Sequence, residues 1–238
     1  MNQSAQSEHT ESINTVIFDL DGTLVEHGHV LMPPLLESWG FPRTLDEINA
    51  SVEAQLSWVY GETINAGQWT KEIVTEWQRR ILAGLAIPDP DGKRNEEVLA
   101  FFRTNPVPPL FEDVSTLLNH LADEGYSLGI ITQRGRKGAE KFLGEHNILH
   151  HFDTLVCGDD GYGRKPTPQP FSAALDQLKS LSSQAVFIGD RIDDDCQGAL
   201  GAGLGAFLID RVGRHRQEIQ EYDEITYLTS LIQLPEHI

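Results

Sequence analysis

The stretch that decides the fold is residues 16–25, Val-Ile-Phe-Asp-Leu-Asp-Gly-Thr-Leu-Val. Its apolar run predicts a buried strand, and the run ends in two aspartates that are two positions apart. Because side chains alternate along a strand, Asp19 and Asp21 emerge on the same side where the strand ends. Two carboxylates held this close repel each other unless a cation lies between them or one of them takes up a proton. The pair therefore predicts a metal site with a nucleophile and an acid/base, and Gly22 suits a tight turn at the edge of a cleft.

Three further segments carry polar residues that would complete such a site. Thr132 closes a second apolar run, Lys165 precedes Pro166, and Gly189-Asp190 closes a third run that leads into Asp193, Asp194 and Asp195. Each has a simpler interpretation alone, since β-branched residues favour strands and aspartates at a helix N-terminus complement the helix dipole. Taken together and in this order, they supply the hydroxyl, ammonium and carboxylate groups that phosphoryl transfer needs.

This ordered set of motifs resembles that of the haloacid dehalogenase (HAD) superfamily of phosphohydrolases, and the resemblance spans nearly the whole chain. It implies an α/β fold, with a Rossmann-like doubly wound parallel sheet as the core and an inserted all-helical cap domain of the C1 type. It also implies that Asp19 is the nucleophile, that Asp21 is the acid/base and that the cofactor is Mg²⁺. The implied metal-site residues are Asp19, Asp21 (through its backbone carbonyl), Asp190 and Asp195, and the implied phosphate-binding residues are Thr132, Gln133 and Lys165. Thr132 and Lys165 would also offset charge on the transferring group.

Two positions depart from the family pattern or leave a choice open. Gln133 stands where asparagine is more usual, and Arg134 precedes Gly135, so we expect altered contacts with the phosphate or the leaving group. In the last motif, the family spacing from the acidic residue to Gly-Ala and Ala-Gly fits residues 195–203. We therefore predict that Asp195 is the second acidic metal-site residue, with Asp194 as the alternative.

Strands and helices alternate through the second half of the chain. The predicted strands are 127–131, 154–157, 185–188 and 206–209, and the predicted helices are 111–123, 137–147, 171–181 and 196–202. This alternation implies a parallel sheet that is covered by helices on both faces. Ligands of such sheets bind beyond the carboxyl ends of the strands, which is where Asp19, Thr132 and Asp190 fall.

The region between the first strand and this alternating half differs in composition. It lacks a convincing strand, holds all four tryptophans and has predicted helices at 34–39, 45–60, 69–82 and 96–103. We predict a flexible tail at 1–12, a core domain made of 13–27 and 108–238, and a helical cap domain at 28–107. A cap that closes over the site would select the substrate, and the candidates for contact with it are Trp58, Trp69, Lys71 and Arg79. His27 and His29 lie just past the first motif and are interpreted as surface loop residues, with an approach to the substrate as the alternative.

Composition limits the partners. With 18 basic and 36 acidic residues the net charge is −18, which argues against nucleic acid and anionic membranes. No run approaches the roughly 18 apolar residues of a membrane span, the N-terminus is unlike a signal peptide, and two cysteines give no disulfide framework. We expect a cytoplasmic monomer or homodimer that acts on a small phosphorylated metabolite. An anionic substrate in a carboxylate-lined pocket needs a divalent cation and a lysine.

Three alternatives to a Mg²⁺-dependent phosphatase remain. A haloacid dehalogenase shares the scaffold and the nucleophile but lacks the second aspartate, so Asp21 argues against it. A sugar phosphomutase would use the same residues, and the cap alone would distinguish it. A binding or regulatory module on the same scaffold is disfavoured by the intact set of motifs.

Overall fold

The computed structural model describes residues 12–66, 70–104 and 107–238. In these ranges the chain forms a six-stranded sheet in which every pair of neighbours is parallel. The strands are β1 (Thr15–Phe18), β2 (Ser127–Ile131), β3 (Thr154–Val156), β4 (Ala185–Gly189), β5 (Gly205–Ile209) and β6 (Ile225–Leu228). Their order across the sheet is β3-β2-β1-β4-β5-β6, so β1 lies between β2 and β4 in the middle of the sheet.

The α-helices surround this sheet or belong to the segment inserted after β1. They are α1 (Met32–Ser38), α2 (Leu45–Ala66), α3 (Lys71–Gly84), α4 (Lys93–Thr104), α5 (Val114–Asp123), α6 (Arg136–Glu145), α7 (Pro168–Leu178) and α8 (Gln197–Gly201). A π-helical turn at Ile192–Cys196 precedes α8. Within the part of the chain that the structure describes, none of the helices combines the length and the apolar character needed to cross a membrane.

Both faces of the sheet are buried, which explains why β1 appears in the sequence as a continuous apolar run. Val16 and Phe18 belong to a buried cluster that includes residues of α5 and α6. Ile17, which points to the opposite face, belongs to a second cluster with residues of α7 and α8. The predicted α/β fold with a doubly wound parallel sheet is therefore confirmed, and the strands predicted in the second half of the chain are present.

The segment between β1 and α5 builds a third buried cluster of its own. Its members come from all four inserted helices, for example Leu36, Ile48, Ile81 and Val98. The described residues between 28 and 107 form helices and loops without a strand. The chain leaves and re-enters the core at one point, because Val25 and Leu110 form an antiparallel bridge. The assignment of 28–107 as a separate cap domain stays a prediction, and the predicted tail lies almost wholly outside the described residues.

Candidate active site

Three carboxylates and one ammonium group meet at the carboxyl ends of β1 and β4. Asp19, Asp190 and Asp195 bring side-chain oxygens within 4.8 Å of one another. Lys165 Nζ donates to Asp19 Oδ1 at 2.6 Å and to Asp195 Oδ1 at 2.5 Å. All these groups are buried except Asp190, which is partly buried. Four residues that the sequence assigned to one site are thus brought together, from segments as far apart as β1 and the π-helical turn.

The π-helical turn carries Asp195 into this cluster. An N–H in the turn bonds to the Arg191 carbonyl five residues back, so the turn holds one residue more than an α-helical turn. The Asp195 carboxylate also accepts from the Arg191 N–H at 3.1 Å. A Cβ at Gly189 would lie 2.3 Å from the carboxyl carbon of Asp195, so a glycine is required where β4 ends. Asp194, the alternative, lies instead with Oδ2 3.7 Å from Arg191 Nε.

Burial dominates the electrostatics of the cluster. It raises the pKa of Asp19 and of Asp195 above the ordinary range, and the attraction of Lys165 offsets only part of this effect. Burial alone would lower the pKa of the Lys165 ammonium, but the two carboxylates raise it above its ordinary value. When every group is ionised, the three carboxylates and the one ammonium carry a net charge of −2.

His27 contacts the site, although the sequence analysis placed it on the surface. Its Nε2 lies 3.1 Å from Asp190 Oδ2. Burial raises the pKa of Asp190, but the hydrogen bond and charge of His27 outweigh it and lower that pKa. The contact requires Gly22, which has a φ of +84° and whose Cβ would lie 2.3 Å from Asp190 Oδ2. No motif in the sequence signals this histidine, because the pair joins residues 163 positions apart.

The remaining predicted site residues lie at the ends of β1 and β2. Thr132 is buried, and its Oγ1 accepts from the Arg134 N–H at 3.2 Å. The Asp21 carboxylate is directed to Arg134, whose Nη2 donates to Asp21 Oδ1 at 2.6 Å. The Gln133 side chain accepts from Arg164 Nε at 2.9 Å and donates to the Lys165 carbonyl at 3.2 Å. Gln133, predicted to bind phosphate, therefore braces the segment that carries Lys165.

One face of α2 contacts the loops around the cluster. Arg191 Cζ lies 4.7 Å from the centre of the Tyr60 ring, and Arg214 Nη1 lies 2.8 Å from Glu53 Oε1. Asn49, one turn before Glu53, lines a cavity together with His29, Asp190 and Arg214. The spacing of Asn49, Glu53 and Tyr60 places them on the same side of the helix, which is the signal that the sequence analysis missed.

The cap side chains that the sequence singled out have other contacts. Trp58 lies under Arg80, whose Cζ is 4.2 Å from the ring centre. Arg79 pairs with Glu76 of its own helix, and Lys71 is exposed. Trp69 lies outside the described residues.

Comparison with known proteins agrees with the geometry. The family model described as haloacid dehalogenase-like hydrolase matches residues 93–209. The chain is 25% identical over 229 residues to the pyrophosphatase PpaX of Halalkalibacterium halodurans, a match that covers 92% of this chain and 94% of the relative. It is 24% identical over 235 residues to a phosphoglycolate phosphatase of Aliivibrio fischeri, with 94% and 98% covered.

A solved structure shows the same fold. The magnesium-bound HAD-hydrolase YfnB of Bacillus subtilis superimposes with a TM-score of 0.74 at 18% identity, covering 95% of this chain and 98% of that one. The matched family model, the parallel sheet and the placement of Asp19, Lys165 and Asp190 at its carboxyl edge agree. Over the matched segment and in its fold, the chain is therefore similar to the haloacid dehalogenase-like hydrolases.

Proposed function

We propose that this protein is a phosphatase that hydrolyses a small phosphorylated metabolite through an aspartyl-phosphate intermediate, with Mg²⁺ as cofactor. The observation that carries the proposal is the buried cluster of Asp19, Lys165 and Asp195 at the carboxyl edge of the sheet. The names of two relatives, a pyrophosphatase and a phosphoglycolate phosphatase, support hydrolytic release of phosphate.

Asp19 is the group suited to attack phosphorus. Its Oδ1 is held by Lys165, whose positive charge favours the nucleophilic carboxylate. As the bond from Asp19 to phosphorus forms, the bond from phosphorus to the leaving oxygen breaks, and Asp21 donates a proton to that oxygen. Asp21 then takes a proton from the water that attacks the aspartyl-phosphate, which releases phosphate and regenerates Asp19. Lys165 and the hydroxyl of Thr132 offset charge on the phosphoryl oxygens.

The donor set fits a divalent cation. Phosphatases of this family generally use Mg²⁺. The three carboxylates carry two more negative charges than Lys165 balances, and oxygen ligands suit Mg²⁺ better than softer metals. We propose that Asp19, Asp190, Asp195 and the backbone carbonyl of Asp21 hold it. When bound, the ion would neutralise charge that develops on the phosphoryl group.

The surroundings of the cluster favour a small substrate. The contacts of Glu53 and Tyr60 bring α2 over the loops after β4 and β5, which leaves little room for a polymer. The net charge of −18 also disfavours nucleic acid as the substrate. We propose a cytoplasmic location as well, since Cys157 and Cys196 are both buried free thiols.

The proposal is tested by phosphate release from a panel of phosphorylated metabolites, with Mg²⁺ and after chelation. We expect turnover that disappears on chelation, returns with Mg²⁺ and is abolished by Asp19→Asn, because the amide is a poor nucleophile. Asp193→Asn is the matched control, since Asp193 is exposed and bonds to Arg191 outside the cluster. Wild-type turnover in a folded Asp19→Asn variant would rule out the mechanism.

The metal site has a test that does not depend on turnover. Mg²⁺ at 100 times its dissociation constant should stabilise the folded protein by about 2.7 kcal/mol, measured as a rise in melting temperature. Asp190→Asn removes one ligand and should reduce this rise, while Asp193→Asn should preserve it. An equal rise in all three proteins would place the bound ion elsewhere.

A further inference from the structure

The ion pair between Arg134 and Asp21 joins the ends of two neighbouring strands. Arg134 Nη2 and Nε donate to Asp21 Oδ1 at 2.6 Å and 3.1 Å. Both donors converge on this one oxygen, and among the described residues no hydrogen bond reaches Asp21 Oδ2. The arginine thus occupies one carboxylate oxygen and leaves the other available to a third group.

Arg134 is held in place by three elements. Its N–H donates to Thr132 Oγ1 at 3.2 Å, and its carbonyl accepts from the Gly158 N–H at 2.8 Å. The guanidinium lies on the ring of Phe142 in α6, with Cζ 4.0 Å from the ring centre. A guanidinium that is fixed at its backbone and stacked on an aromatic ring loses little further freedom when it holds a carboxylate.

Folding alone does not account for this contact. The side chains of Arg134 and Asp21 are 30% and 24% exposed, and partly exposed ion pairs contribute little to stability. The pair is also not part of the family's motif pattern, because Arg134 belongs to the segment where this chain departs from it.

We infer that Arg134 is a positioning residue for departure of the leaving group. By donating twice to Oδ1, it fixes the rotamer of Asp21 and occupies that oxygen, so Oδ2 is the oxygen that transfers the proton to the leaving group. That proton moves to the leaving oxygen as its bond to phosphorus breaks and the Asp19–phosphorus bond forms. The inference rests on the proposed function, in which Asp21 is the acid.

Two aryl phosphates separate this role from a general loss of activity. 2,4-Dinitrophenyl phosphate releases a phenolate that leaves without a proton, whereas the phenolate of phenyl phosphate needs one. The ratio kcat/KM reports the steps up to departure of the leaving group. Arg134→Met keeps the packing on Phe142 and removes both donors. We expect kcat/KM to fall about 100-fold for phenyl phosphate, the scale of general acid catalysis, and less than about 3-fold for the dinitrophenyl ester.

Arg136→Met is the matched control. Arg136 lies two residues further along the chain, and its guanidinium donates to Asp160 at 2.7 Å and to the Leu155 carbonyl at 2.8 Å, away from the cluster. We expect this variant to treat both esters like the wild type.

The Asp21→Asn background completes the test. If Arg134 acts through Asp21, adding Arg134→Met to Asp21→Asn should cause no further loss on phenyl phosphate. An equal loss on both esters, or an undiminished loss in the Asp21→Asn background, would overturn the inference. Wild-type hydrolysis of phenyl phosphate by Asp21→Asn would instead refute the proposed acid. If Arg134→Met does not fold, Arg134→Lys takes its place. Because an ammonium lacks the paired, planar donors of a guanidinium, we expect kcat/KM for phenyl phosphate to fall by less than in Arg134→Met, but still by more than for the dinitrophenyl ester.

Discussion

At the scale of single residues, the site balances buried carboxylates against one ammonium group. Lys165 is only 5% exposed and bonds to Asp19 and Asp195 at once. Both carboxylates are buried, so water does not solvate their ionised form. Their negative charge is therefore stabilised by this lysine or by a bound cation. The ammonium that we propose offsets charge on the phosphoryl group therefore also stabilises the two buried carboxylates when no cation is bound.

Replacing Lys165 tests this double dependence. Lys165→Met keeps the length of the side chain but leaves two buried carboxylates without their partner. Breaking a buried ion pair in this way costs about 3–5 kcal/mol, so we expect a fall of this size in the free energy of unfolding at pH 7, measured with urea after chelation. Phosphate release should fall as well, because the charge on the phosphoryl group is no longer offset.

The control for this change is Lys141→Met. Lys141 Nζ lies 3.7 Å from Glu145 Oε1 on the exposed face of α6, and exposed pairs contribute at most about 1 kcal/mol. A Lys165→Met protein that is as stable as Lys141→Met would show that the cluster carries less charge than its geometry indicates.

Sequence reasoning predicted the residues at strand ends and missed their partners. Asp19, Thr132 and Asp190 were predictable because parallel strands end at one edge of the sheet. The partners of Asp21 and Asp190 are 113 and 163 positions away, and neither belongs to a motif. Such pairs depend on side-chain rotamers and on how loops approach each other, and no local pattern in the sequence encodes either.

At the scale of elements, the loop after β5 and the start of α5 are joined by one carboxylate. Asp113 accepts from Arg211 Nη1 at 2.8 Å, from Ser230 Oγ at 2.7 Å and from the Leu231 N–H at 2.9 Å. Burial raises the pKa of Asp113, but these hydrogen bonds and the charge of Arg211 outweigh it, so the pKa lies below its usual value. The Asp113 carboxylate thus joins the start of α5, the loop after β5 and the segment after β6.

The stability that Asp113 contributes should depend on pH. Because its pKa is lower in the folded than in the unfolded protein, the contribution is fully present above the unfolded pKa of about 3.9 and is lost as the pH falls through the folded pKa. Asp113→Asn should lower the free energy of unfolding by about 3–5 kcal/mol at pH 7, since it removes the carboxylate that pairs with Arg211. The difference in free energy of unfolding between the wild type and Asp113→Asn, measured with urea, should become smaller below about pH 4.

Asp123→Asn is the control, because Asp123 is exposed at the other end of α5. Its free energy of unfolding should stay within about 0.5 kcal/mol of the wild type at pH 7. If the difference in free energy of unfolding between the wild type and Asp113→Asn stays constant down to pH 2, the charge of Asp113 does not contribute to the contacts between these elements.

Two elements were not predictable from the sequence for physical reasons. β6 has only four residues and pairs with β5 alone, so its apolar run is short and half-exposed. The π-helical turn at Ile192–Cys196 was not predicted: the predicted helix is 196–202, and the three aspartates before it suit any helix N-terminus. The contact between Asp195 and Lys165 depends on the extra residue in that turn, and no pattern in the sequence indicates that residue.

At the scale of the whole molecule, the insert and the core are built as separate packing units. Among the described residues, the buried members of the two core clusters include none from 28–107, and those of the third cluster all come from it. The ends of the insert are held together by the bridge between Val25 and Leu110. The core should therefore fold when the insert is replaced by a short Gly/Ser linker.

Such a capless protein tests where specificity lies. The cluster is made by core residues alone, so phosphate release from a small activated ester should survive. Turnover of the best metabolite should fall and the ranking of metabolites should flatten, since Tyr60 and Glu53 no longer cover the site and bulk water enters it. An unchanged ranking, measured by phosphate release over the same panel, would place specificity in the core.

The strand order also bears on how the protein is made. β1 is the first of the six strands to leave the ribosome, yet its neighbours Ser127 of β2 and Ala185 of β4 are synthesised much later. Until then the nascent chain carries an apolar strand whose edges are unpaired. Such a strand can pair with other chains, and chaperones that bind it would prevent this aggregation. Asp19 also meets Asp195 only after residue 195 has been synthesised, so a chain that stops before that point lacks the complete carboxylate cluster.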